Sequence, residues 1–198
     1  MEICNSDLRM SFSEWERDTC AMTRLPPLPA EEWDDRTRAA LAPLMPEDRR
    51  NRKSAGNALS TLVRHPDLAE AYLPLGNHLL WGSSLPRRVR ELIILRVAGR
   101  TGCVYEWTHH VHSATKYGFG EAEIAAAGRG EADDPVDRLV LGAVDELADS
   151  YVLSDDTWKQ LGEHFDDRQR MDLVFTVGSY LMLSMAFNTF GVEPESER

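Results

Sequence analysis

DPVDRLVLGAVDELADS, residues 134–150, carries Val136, Leu139, Val140, Ala143, Val144 and Leu147 at intervals of one, three and four. That is the period of an α-helix with one buried face, not the alternation of a strand. Asp134 ahead of Pro135 supplies the start, because a carboxylate caps free N–H groups and proline at the first helical position gives up a donor that would lack a partner. The same grammar recurs downstream, where Ser154 followed by Asp155 and Asp156 opens a short helix through Leu161.

Upstream, residues from about Gly56 to Arg64 read as one helix, and His65-Pro66 starts the next. Its expected buried stripe is Leu68, Ala71, Tyr72, Leu75 and Leu79, with a kink at Pro74. Ser84-Leu85-Pro86 opens RRVRELIILRVAG, apolar on most sides from Leu92 to Ala98 and so expected at the centre of the core. Gly99 and Gly102 bracket a break, after which Cys103 to Tyr117 runs as a helix closed by Gly118. No run alternates with period two, so the fold class is all-α, a single-domain helical bundle.

Residues 1–30 are polar and aperiodic and then read LPPLP at 25–29, which suits an extended N-terminal arm ahead of a helical domain over 31–198. The chain of 198 residues fits one domain. Its 22 basic residues are scattered among 33 acidic ones, for a net charge of −11, which argues against nucleic acid and anionic membrane surfaces as partners. Cys4, Cys20 and Cys103 form neither a disulfide framework nor a zinc-ligand pair, and the N-terminus is acidic where a signal peptide would be basic, so the expected location is the cytoplasm. Residues 173–190, LVFTVGSYLMLSMAFNTF, hold no charge, but Gly178, Ser179, Ser184 and Asn188 within them suit a core or subunit-interface helix better than a membrane span.

Chemistry concentrates in TGCVYEWTHHVH, residues 101–112. On a helix beginning near Cys103, that residue shares a face with Glu106 and His110, while His109 and His112 point elsewhere. A cysteine at a helix N-terminus is expected to lean toward thiolate. A histidine one turn from a carboxylate can move protons near neutral pH without a cofactor. Blander readings of the same residues are an i,i+4 helix pair and an inert buried thiol. A metal site would need a further histidine on that face, so none is expected. Glu91 lies four after Arg87 and three after Arg88, where a surface ion pair is the ordinary outcome.

The spacing of Glu91, Cys103 twelve residues on, Glu106 three further and His110 four beyond that resembles the signature E-x(11)-C-x-x-C-x-x-x-H of the carboxymuconolactone decarboxylase and alkylhydroperoxidase D (AhpD) superfamily, with Glu106 in place of the second cysteine. HPDLAEAY, SLPRRVRELIILRVA, YEWTHHVHSATKYGF and VGSYLMLSMAFNTFGV are similar, in order, to segments of its decarboxylase-like branch, so the likeness runs over roughly residues 22–192. It implies an AhpD-type helical bundle assembling as trimers or hexamers, with Glu91, Cys103, Glu106 and His110 at the catalytic positions and Tyr105 and Trp107 lining the substrate pocket. The implied activity is cofactor-independent decarboxylation of a small carboxylated or lactone-like metabolite, with His110 as the acid. The alternatives are a thiol peroxidase using Cys103 without an in-motif resolving cysteine, and a non-catalytic oligomeric binding protein.

Overall fold

The computed structural model describes residues 23–195, and among these every regular element is a helix. Residues 1–22, most of the expected arm and with them Cys4 and Cys20, lie outside the described residues. Nine α-helices follow in order: α1 Asp35–Ala40, α2 Arg52–Leu62, α3 Pro66–Asn77, α4 Arg87–Thr101, α5 Val104–Lys116, α6 Glu121–Arg129, α7 Pro135–Ser150, α8 Asp155–Leu161 and α9 Asp167–Phe190. The caps are those the sequence offers: Asp134 accepts from Val136 and Asp137 N–H, Ser154 from Thr157 N–H, and Asp166 forms a capping box with Gln169.

α4 is the hub. It packs against α5, α6, α7 and α9, and Leu92, Ile93, Ile94, Leu95, Val97 and Ala98 are all buried. A run apolar on most sides can lie only where neighbours cover those sides. The core continues into Val140, Leu141 and Val144 of α7 and into Leu173, Val177 and Tyr180 of α9. A second cluster gathers Trp33, Leu41, Met45, Val63, Ala69 and Leu73 under the N-terminal helices.

Several local expectations are corrected. Gly99 does not break α4, which continues to Thr101 and ends at Gly102 in the left-handed conformation, φ 63°. Gly99 serves a contact instead, since a Cβ there would lie 2.6 Å from the carbonyl oxygen of Gly128 in α6. The real interruption is at Gly56, φ 67° and ψ −169°, inside a helix that starts earlier than expected, at Arg52. On α3 the inward residues are Ala69 and Leu73, whereas Leu68, Ala71 and Leu75 are exposed, because apolar side chains line both flanks of this helix and the period alone does not select between them. Beyond Pro74 the helix widens into a π turn over His78–Gly82. The LPPLP stretch is extended but packed: Leu28 is buried, its N–H donates to the Ser60 carbonyl at 2.8 Å, and its own carbonyl accepts from the Trp33 indole at 3.1 Å.

α9 is the one described helix long and apolar enough to span a membrane by composition, yet its inner face, from Leu173 to Phe187, belongs to the cores just described. Its outer face leaves Met171, Phe175, Met182 and Met185 exposed.

The Gly99–Gly128 approach predicts that Gly99→Ala costs about 2 kcal/mol through overpacking. Gly142→Ala, at a helical site with open space around it, should instead gain about 0.5–1 kcal/mol. Urea midpoints of the two variants against the parent protein check both signs.

Candidate active site

Glu91 faces inward on α4 and is 1% exposed, so the surface pair with Arg87 or Arg88 does not form. Arg88 turns to Glu123 and to Asp137 at 2.6 Å. Glu91 bonds instead to its sequence neighbour: Arg90 donates Nη2–H and Nε–H to Glu91 Oε1 at 2.8 and 3.3 Å. Adjacent helical side chains diverge, so this contact needs the arginine stem to fold back. It does so because Arg90 Nη1 is anchored on the Leu80 carbonyl in the π turn.

The other carboxylate oxygen, Glu91 Oε2, lies 2.6 Å from His110 Nδ1 on α5. The second ring nitrogen, Nε2, stands 3.4 Å from Glu106 Oε2, one turn back on the same helix. The imidazole is therefore bracketed by two carboxylates, all three groups are buried, and the Tyr180 ring meets the imidazole edge to face at 5.3 Å. Burial opposes charging His110, but bonds to Glu106 and Glu91 outweigh it and hold its pKa at about 9. Burial also works against ionising Glu91, and is again outweighed, here by His110 and Arg90, so its pKa falls below the ordinary carboxylate value.

Glu106 and His110 form part of the wall of a cavity of about 180 Å³ between α2, α3, α5 and α9. Tyr105 is in the same wall, with Tyr72, Leu79 and Phe187, so the structure brings Tyr105, Glu106 and His110 together around one space with Glu91 behind the histidine. His109 lines this cavity too and, of the residues lining it, is the exposed one. The other two predicted residues are placed elsewhere. Trp107, a helical step round from Glu106, packs on Gly128 and lines a separate cavity of about 630 Å³ between α5 and α6. Cys103 caps α5, is 1% exposed, and sits among Ala58, Phe187 and Val192. Its position at a helix start does not yield a thiolate: burial dominates and raises the thiol to about 11.

Sequence reasoning missed Arg90, Tyr72, Tyr180 and the role of His109. Arg90 carried a usable signal, being a charge set directly against the apolar run of α4. Tyr180 and Tyr72 carried none, because an aromatic on an apolar helix face reads simply as core. The Tyr72 hydroxyl pairs with Ser179 Oγ at 3.0 Å, so a helix far away in the chain completes this wall. Among the described residues no group of three or more His, Cys, Asp and Glu is arranged to hold a metal ion.

The carboxymuconolactone decarboxylase family model matches residues 66–141, which include the whole acid–histidine array. Among solved structures, a protein of unknown function from Agrobacterium tumefaciens, described as a candidate antioxidant-defence protein AhpD, is 25% identical, with a TM-score of 0.58 over 68% of this chain and 94% of its own. A peroxidase-related protein from Ralstonia eutropha JMP134 with an alkylhydroperoxidase AhpD core is 20% identical, with a TM-score of 0.69 over 87% and 93%. The debrominase Bmp8 has the same fold, at 17% identity and a TM-score of 0.68 over 88% and 93%. No curated protein matches the sequence.

The bracketed imidazolium gives stability a pH dependence. Since its folded pKa of about 9 exceeds the 6.5 of an unstructured histidine, its contribution is complete below pH 6.5 and is lost as pH rises through 9. The lost amount is at most about 3 kcal/mol. Glu91, shifted down, works in the opposite sense, and its contribution disappears as pH falls below the carboxylate range. Urea midpoints measured from pH 6 to 10 should decline in the parent protein and stay nearly flat in His110→Gln.

Proposed function

We propose that this chain, whose residues 66–141 match the carboxymuconolactone decarboxylase family model and whose fold is AhpD-like, is a cofactor-independent enzyme of the decarboxylase branch. Its substrate is a small carboxylated or lactone-like metabolite, and its chemistry is general acid–base. The observation that carries this reading is the buried His110 imidazole, held charged between Glu91 and Glu106 in the wall of a cavity sized for a small molecule. Loss of carbon dioxide leaves the electron pair of the broken C–C bond on the substrate as a dienolate, and a proton must arrive at carbon. His110 Nε2–H faces Glu106 and the cavity and is the donor. Nδ1–H stays on Glu91, which fixes the ring, and the neutral imidazole then regains its proton from water. Glu106 steers the transferable proton and receives it when the reaction runs the other way. Arg90 keeps Glu91 ionised so that Glu91 does not take the proton for itself.

Thiol chemistry is the weaker reading, although structural relatives include proteins described as peroxidase-related. Cys103 is buried with a raised pKa and is the sole free cysteine among the described residues, so it lacks both the thiolate and a described resolving partner. In a reducing cytoplasm it stays a thiol.

The exposed face of α9 belongs to this proposal as well. Met171, Phe175, Gly178, Met182 and Met185 recur at alternating steps of four and three, the spacing of a helix seam that packs on another helix. A second copy of the chain covers it, giving a homo-oligomer of the trimeric or hexameric kind.

A metabolite screen by mass spectrometry, with parent protein and His110→Ala side by side, should find a loss of carbon dioxide that falls at least a hundredfold in the variant, as expected for removal of a general acid. Cys103→Ser should keep activity within about threefold, an outcome that removal of a nucleophile would reverse. Light scattering should report dissociation of the oligomer in Phe175→Glu with Met185→Glu, and an unchanged mass would reject the α9 seam.

A further inference from the structure

The break in α2 has a second effect. At Gly56 the backbone leaves the helix, and the N–H groups that follow turn to partners outside it. Asn57 N–H donates to Glu195 Oε1 at 2.5 Å, and Ala58 N–H turns toward the Tyr105 hydroxyl. Glu195 Oε2 lies 2.8 Å from His109 Nε2, and the Tyr105 hydroxyl is near enough to the same carboxylate to feel its charge. The Tyr105 and His109 rings meet at a tilt of 41° with centres 4.3 Å apart, so the two side chains hold one another in position. A Cβ on residue 56 would fall 2.5 Å from Glu195 Oε1, which is why this seat for a carboxylate requires glycine.

The occupant is loosely mounted. Val192 is buried, but Glu193 and Glu195 are exposed, and beyond the clamp this tail is held by a bond from Asn57 Nδ2 to the Glu193 carbonyl at 2.9 Å. The clamp residues Tyr105 and His109 also line the cavity that contains His110, with His109 at its solvent side. An anion entering past Glu106 needs donors to replace its water, and the donors at the entrance are those now turned to Glu195.

We propose that Asn57, Tyr105 and His109 form a carboxylate-binding clamp at the mouth of the His110 cavity, that Glu195 fills it in the resting protein, and that the carboxylate of the substrate displaces Glu195 to bind there. This rests on the acid–base reading for what happens deeper in the cavity, but not for the binding itself. The clamp suits a carboxylate that keeps its charge throughout, because one departing as carbon dioxide sheds it and would be held back by strong donors. A substrate retained here therefore offers a second group to the chemistry at His110.

Benzoate, a small rigid carboxylate, tests the clamp by titration calorimetry without any turnover. Glu195→Ala should bind benzoate at least tenfold tighter than the parent protein, and Glu195→Gln, which keeps the shape but not the charge, should show part of the gain. Adding His109→Gln to Glu195→Ala should remove the gain, whereas adding His110→Asn should leave benzoate binding within threefold. Equal affinity in the parent and both Glu195 variants, a gain that survives His109→Gln, or no benzoate binding by any of them would overturn the clamp. Turnover retained in His110→Ala, with benzoate binding as expected, counts against the acid–base reading alone, so the two failures separate.

Discussion

Four ionisable side chains meet in the interior, Arg90, Glu91, His110 and Glu106, and each is under 10% exposed. With the histidine protonated their charges cancel, two positive against two negative. Cancellation is what lets the group exist, because an unpaired charge in such surroundings costs several kcal/mol while a complete set with short hydrogen bonds roughly breaks even. The hub helix must carry Arg90 and Glu91 side by side at the N-terminal end of its apolar run, and α5 must cross it so that His110 reaches Glu91. The rest of the bundle can be read as the packing that holds those two helices at that crossing. The same cancellation sets the protonation of the site: two carboxylates keep a proton on an imidazole at neutral pH, where an exposed histidine would have lost most of it.

The helical class and most caps were legible because they depend on local chemistry: Asp134 before Pro135, Ser154 before two aspartates, and a run from Leu92 to Ala98 apolar on most sides and so suited to the centre. The site was legible in part. Helix geometry put Glu106 and His110 on one face, and resemblance added Glu91 from another helix. What escaped was whatever depends on the crossing of distant segments. The period of α3 fits either of two faces, and only the N-terminal layer selects Ala69 and Leu73. Gly99 looked like punctuation because its partner, Gly128, is 29 residues away. Cys103 looked activated because the start of a helix favours a thiolate, but Ala58, Phe187 and Val192 close over it and desolvation wins.

The two cavities divide α5 between them. Opposite faces of TGCVYEWTHHVH serve them, with Tyr105, Glu106, His109 and His110 toward one space and Cys103, Val104, Trp107 and Val111 toward the other. A crowded motif is thus two linings printed on one helix, and a single step from Glu106 to Trp107 crosses from one to the other.

The π turn over His78–Gly82 reaches further than its five residues suggest. Asp172 on α9 takes hydrogen bonds from Ser83 and Ser84 and pairs with His78, so both ends of the turn are pinned to one carboxylate. From the middle of the turn, the Leu80 carbonyl holds Arg90, Arg90 holds Glu91, and Glu91 holds His110. The turn is in effect a tensioning peg. A residue outside the cavity thus sets the pitch of the His110 ring, and a change at Asp172 would reach the imidazole through that chain of bonds.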